Sequence, residues 1–338
     1  MPFDLWSLYS MMLRGRLVEE AVRTLWLEGR ISGEMHLGLG EEAIVAGVTA
    51  NLEPDDALAL DHRGTLPLVM IGAELEALLL ELLGQPQGLC RGMGGHMHLF
   101  SPEHRAASSG IVGASGPTAA GFALAAQLLR PGSVAVAYFG EGAINQGMLM
   151  ESFNLAGVWN LPVLFVCKDN DWSITTRSST VTTADPASRA KGFGLPVWKA
   201  DGWKVEQVFQ VANEAIGAIR AGDGPGFLHL RCVHLEGHFL GDPLLRVGRH
   251  PVAEGREIAV PLARSATSPN GASPVRRAAG LGSISWSIAR SVFDDKARRR
   301  DPIAHSRATL NRQDKARLSQ LEMDLESEVA SAVARVLG

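Results

Sequence analysis

Uninterrupted apolar runs at 134–139 and 161–167 flank a glycine-rich turn and a stretch in which Phe153, Ala156 and Trp159 recur every third residue. Short runs this apolar predict strands buried on both faces, and the spacing between them predicts an amphipathic helix. Strand, turn, helix and strand make one right-handed crossover unit of a parallel sheet. Helical spacing recurs at 5–30, through Leu13, Val18, Ala21, Leu25 and Leu27, and again at 41–52 and 117–129. At 205–220 the residues Val205, Val208, Phe209, Ala212, Ile216 and Ile219 share one face. A strand at 227–233 delivers His234 and His238 to its end. Strands alternating with helices predict an α/β fold, with a parallel sheet covered by helices on both faces. Helical periodicity returns at 306–337, and no internal repeat is visible.

The pattern weakens near Arg246. From Arg249 to about Gly280 the chain is rich in Gly, Pro, Ser and Arg, which predicts a mobile loop or insertion. Binding in the cleft should order Arg246, Arg249 and His250. The expected organisation is an α/β domain over 1–245, the mobile segment over 246–295 and a C-terminal helical part of the same domain over 296–338.

Composition narrows the function classes. A chain of 338 residues, 46% hydrophobic and 20% charged, can bury one large core. A net charge of −4 gives no basic footprint, so no nucleic-acid partner is expected. No uncharged apolar run reaches membrane-spanning length, so no membrane partner is expected either. The first twenty residues mix acidic and apolar positions without a signal-peptide layout, and a cytoplasmic location is expected. Cys90, Cys167 and Cys232 form no CxxC pair; free thiols are predicted, buried in the case of Cys167 and Cys232.

Candidate chemistry gathers where the two buried strands end. The first runs into Gly140-Glu141-Gly142-Ala143 and the second into Asp169-Asn170. In parallel sheets the loops at adjacent carboxyl ends share one ligand crevice, so Glu141 and Asn170 should face the same place. Glycines at 140 and 142 let backbone amides approach an anion, while carboxylate and amide oxygens suit a hard cation such as magnesium.

A Gly-acid-Gly turn, then the 26 residues 143–168, then a pair ending in Asn resembles the thiamine diphosphate motif. Asn145-Gln146-Gly147, Glu151, Asn154-Leu155-Ala156 and Leu161-Pro162 give it the form found in α subunits of heteromeric 2-oxo acid and acetoin dehydrogenases. Gly38-Leu39-Gly40-Glu41-Glu42-Ala43, Arg91-Gly92-Met93-Gly94-Gly95-His96-Met97-His98 and Gly110-Ile111-Val112-Gly113-Ala114 match further family segments in order. Asp201-Gly202, Gly224-Pro225, Gly237-His238 with Asp242-Pro243, and Arg300-Asp301-Pro302-Ile303 extend the match.

That resemblance implies thiamine diphosphate and magnesium as cofactors. Metal ligands would be Glu141, Asn170 and the carbonyl of Trp172, with the amides of Gly142 and Ala143 on the diphosphate. Gly110 and Val112 would hold the aminopyrimidine. His62, Arg63 and His234 would touch the cofactor, Arg63 as the main phosphate contact, although a structural role for His62 and His234 stays open. His238 and His98 are the catalytic candidates. The chain departs from the family in having Glu141 for the usual Asp, Thr65 where many members have His, and His234 for a second Arg.

By the same resemblance, the glutamate that activates the aminopyrimidine comes from a β subunit. Glu41 and Glu42 read as helix-start acids and are poor substitutes. The implied function is the α subunit of an α/β heterotetramer that cleaves a C–C bond beside the carbonyl of a 2-oxo acid or of acetoin. The acyl unit would pass to a lipoyl-bearing acyltransferase. One alternative is transfer of a two-carbon ketol unit from a ketose to a lipoyl or carrier-protein thiol, or acyloin formation. Another is a non-catalytic α-like scaffold.

Overall fold

The computed structural model describes residues 2–174, 176–242 and 300–338, with isolated positions between 273 and 282. Helix α1 (Leu5–Leu27) is followed by α2 (Glu42–Thr49), strand β1 (Ala57–Leu60), and helices α3 (Thr65–Met70) and α4 (Leu75–Leu82). Strands β2 (Phe100–Ser101) and β3 (Ala106–Ser108) precede α5 (Ser115–Leu129), β4 (Ala135–Gly140), α6 (Gly147–Trp159) and β5 (Val163–Asp169). A small hairpin, β6 (Trp172–Ser173) and β7 (Thr176–Arg177), leads to α7 (Pro186–Gly192), β8 (Val197–Asp201), α8 (Val205–Arg220) and β9 (Gly226–Arg231). Helices α9 (Pro302–Gln313) and α10 (Lys315–Leu337) complete the described residues.

Seven strands form one sheet in the order β2-β3-β1-β4-β5-β9-β8. Every pairing is parallel except β2 on β3. Side chains alternate across it. Leu58, Val136, Tyr138, Leu164, Val166, Leu228 and Leu230 join the core under α1, α4 and α8. Ala59, Ala137, Phe139, Phe165, Cys167 and Phe227 join the core under α5 and α6. Burial on both faces is why these strands read as continuous apolar runs rather than alternating ones. From β1 the chain crosses to β3 on one side and then to β4 on the other. Such a reversal opens a crevice at the carboxyl ends of the strands.

The expected α/β architecture is thus present, with local differences. Trp159 is half exposed because α6 ends there, Asn160 turning the chain at φ 49°. Leu27, at the frayed end of α1, is exposed too. The helix expected at 41–52 is shorter, and the turn after β4 is a 3₁₀ helix, Glu141–Asn145. The strand expected at 227–233 stops at Arg231, so His234 and His238 lie on a loop. Most of the segment expected to be mobile, with Arg246, Arg249 and His250, lies outside the described residues, as does Pro243. Among the described residues no helix is long and apolar enough to cross a membrane.

One buried acid organises the glycine-rich loop beside the crevice. Glu81 accepts hydrogen bonds from the amides of Cys90 (2.7 Å), Gly92 (2.8 Å), Gly94 (2.7 Å) and Gly95 (3.2 Å). Burial alone would raise its carboxyl, but these amides hold it below the usual carboxylate range. Glu81→Ala should cost about 3 kcal/mol or more, because the amides lose their acceptor. A depressed folded-state value stabilises above the ordinary carboxylate range and fails as pH falls through it. The mutant should therefore lose part of the wild-type acid dependence, which thermal melts across acidic pH will show.

Candidate active site

A cavity of about 450 Å³ opens at the carboxyl ends of β1, β3, β4, β5 and β9. That volume lies in the range of small-molecule sites. One end is built from Glu141, Gly142, Ala143, Asn170 and Trp172; the other holds His36, His62, Arg63, His234 and His238. Gly110 and Val112 also line the cavity. The pairing of Gly140 with Lys168 places Glu141 and Asn170 just beyond adjacent strand ends.

At the acidic end, Glu141 is almost wholly buried. Its carboxylate accepts hydrogen bonds from the Asn170 amide nitrogen and side-chain Nδ2, each at 3.2 Å, and from the Ser178 hydroxyl at 2.8 Å. All three partners are neutral. Burial, reinforced by nearby Asp169, pushes the Glu141 carboxyl up to about 7. A buried acid with only neutral partners, beside an amide, fits a divalent-cation site. Gly142 packs so closely on the hairpin that a Cβ would lie 2.1 Å from the Ser173 hydroxyl oxygen. A larger residue there would have to turn the Ser173 side chain away.

The opposite end rests on a buried charge network. Glu41 accepts from Lys168 Nζ at 2.6 Å and lies 2.9 Å from His234 Nε2. Arg63 Nε stands 3.7 Å from the same carboxylate. Lys168 also reaches Asp61, at 3.0 Å. Burial would raise the Glu41 carboxyl, but Lys168, His234 and Arg63 hold it far below the usual range. Arg63 donates to the carbonyls of Leu37 and His238 and to His234 Nδ1. Because Arg63 is always a donor, His234 accepts through Nδ1 and donates through Nε2 to Glu41. Burial, aided by Arg63, pushes His36 and His238 down to about 3 and His62 to about 2, so all three rings are neutral near pH 7.

Several expectations change here. Glu41 is an N-cap residue whose side chain makes no cap; it anchors the network beneath the cavity. Glu42 instead accepts from Arg16 and from the Gly40 amide. Arg63 lines the cavity, and its donors face Glu41, Leu37, His234 and His238. His98 is exposed and does not line the cavity; it lies behind Gly110, whose Cβ would stand 3.4 Å from His98 Nε2. Thr65 is buried at the start of α3. His36, Asp61 and Lys168 were not singled out from sequence. For Lys168 a signal existed: a lysine at the end of an apolar run needs a buried partner.

Lys168 is the cation most deeply committed to this network. Lys168→Met should cost about 3–5 kcal/mol, since it strips Glu41 and Asp61 of a buried partner. A denaturant titration measures this; a loss under about 1 kcal/mol would mean the network re-pairs without Lys168.

The chain matches the family described as dehydrogenase E1 component over residues 9–263. It is 38% identical to the α subunit of acetoin:2,6-dichlorophenolindophenol oxidoreductase of Bacillus subtilis, covering 70% of this chain and 72% of that one. It is 35% identical to the pyruvate dehydrogenase E1 component subunit alpha of Zymomonas mobilis, covering 77% and 74%. A second acetoin:2,6-dichlorophenolindophenol oxidoreductase α subunit, from Cupriavidus necator, is 38% identical over 72% of this chain and 74% of that one.

Proposed function

Since the chain belongs to the dehydrogenase E1 component family, we propose that it is the α subunit of a thiamine diphosphate-dependent 2-oxo acid or acetoin dehydrogenase. It works with a β subunit, cleaves the C–C bond beside the donor carbonyl and passes the acyl unit to a lipoyl-bearing acyltransferase. The supporting observation is Glu141 beside Asn170 at adjacent strand ends, in one cavity with a histidine-lined end.

Bound thiamine diphosphate supplies nucleophilic attack on a carbonyl and takes up the electron pair released when the adjacent bond breaks. This chain's residues bind and orient. Glu141, Asn170 and the Trp172 carbonyl hold magnesium; the amides of Gly142 and Ala143 meet the diphosphate. Gly110 and Val112 flank the aminopyrimidine. At the other end His238, kept neutral, offers a ring nitrogen to the donor or the incoming acyl acceptor. The Arg63 hydrogen bond to its backbone carbonyl, at 2.8 Å, fixes the loop that carries it. Free thiols at Cys90, Cys167 and Cys232 support a reducing, cytoplasmic setting.

His234 tied to Glu41, where the family usually has a second Arg, motivates a second reading: ketol transfer from a ketose. A donor panel of pyruvate, branched 2-oxo acids, acetoin and a ketose phosphate, assayed with the α/β pair, separates the two. Turnover of a 2-oxo acid or acetoin supports dehydrogenation; turnover of the ketose alone would replace it.

A further inference from the structure

We propose that His36, His62 and His238 form a three-nitrogen site for a borderline divalent ion such as zinc, with its fourth position open to the cavity. Three separate segments bring these rings together: the loop before α2, the end of β1 and the loop after β9. One ring nitrogen of each lies within 4.8 Å of the others. Ring centroids are 4.7 Å apart for His36 and His62, 5.2 Å for His36 and His238, and 5.6 Å for His62 and His238. Zinc–nitrogen bonds of about 2.0–2.1 Å would draw these nitrogens inward by about 1 Å. Rotation about the broad χ2 of histidine permits that.

Two observations beyond proximity favour a ligand here. His62 Nε2 is buried without a hydrogen-bond partner, although buried polar atoms are nearly always paired. His36 Nδ1 lies 3.1 Å from His96 Nε2, which leaves His36 Nε2 for a metal and supplies the outer partner that fixes a ligating ring. The cluster of Glu41, Cys232 and His234 is a poorer candidate. Both Glu41 oxygens and both His234 ring nitrogens already have hydrogen-bond partners there, which leaves them no free ligand atom. Magnesium, an oxygen-seeking ion, is not expected at the histidines. Occupancy by zinc would take His238 out of any reaction in the cavity, so the site would act as a reversible block.

Cobalt(II) titration of the full chain without thiamine diphosphate tests this by binding alone, independently of the proposed activity. The expected result is an intense visible absorption of four- or five-coordinate cobalt, displaced by zinc. His36→Gln should weaken binding by about a hundredfold and His96→Gln by about tenfold, while Cys232→Ser should leave it unchanged. His36→Cys, which retains a ligand, should restore binding and add a thiolate charge-transfer band. A weak six-coordinate spectrum, unchanged affinity in His36→Gln, or loss of the signal in Cys232→Ser would overturn the proposal.

Discussion

Glu141→Ala should abolish magnesium-dependent thiamine diphosphate binding, a larger loss than the ~10–100-fold that removal of an outer-shell partner costs. Its carboxylate is buried among neutral donors, and burial opposes its ionisation until a cation arrives. The alanine variant of the apo protein should lose only about 1–3 kcal/mol, because Asn170 and Ser178 lose an acceptor but no buried ion pair is broken. Glu141→Asp returns the family's usual residue and should preserve or tighten binding. Titration calorimetry on the α/β complex, with and without magnesium, measures both variants alongside a thermal melt. Unchanged affinity in Glu141→Ala would remove Glu141 from the metal site; lost affinity with a collapsed melting temperature would make its role structural.

Much of this arrangement was legible in the sequence because strand ends are local features. The run 134–139 reads as a buried strand, and whatever follows it emerges at the carboxyl end of the sheet beside the residues after 161–167. That fixed Glu141 and Asn170 as neighbours without coordinates. The network around Glu41 was not legible in the same way. Its members Glu41, Asp61, Arg63, Lys168 and His234 come from four separate stretches of chain, and helix-start position gave Glu41 a sufficient local explanation. Side-chain direction decided otherwise: Glu41 points under the sheet end, toward Lys168, rather than back onto its own amides. The position of His98 was hidden for a different reason. Its glycine-rich loop turns through positive φ at Gly92 and Gly95, so that His96 faces His36 while His98 remains at the surface. Alternation within an irregular loop cannot be read from spacing.

Purified alone and supplied with magnesium and thiamine diphosphate, the chain should show no donor cleavage with an artificial electron acceptor. Activation of the aminopyrimidine needs a positioned carboxylate, and the acids that line the cavity are already committed. Glu41 and Asp61 hold Lys168, and Glu141 sits at the proposed metal end. Glu34 remains, but it is exposed on the loop after α1. The cavity mouth is also unfinished: Ile111 and Val112 are more than half exposed, and Ile174, held at φ 54°, is half exposed beside them. Apolar side chains at the rim of a polar site call for a covering surface. On the proposed function, a β subunit would bury them and contribute the carboxylate, with two α and two β chains the expected assembly. Obligate interfaces of this kind commonly exceed ~2,000 Å², so the chain alone should self-associate in sedimentation. Adding the β subunit should restore turnover and abolish that self-association. Robust turnover by the isolated chain would overturn the two-chain site, and its loss in Glu34→Gln would then identify the carboxylate that acts in the partner's place.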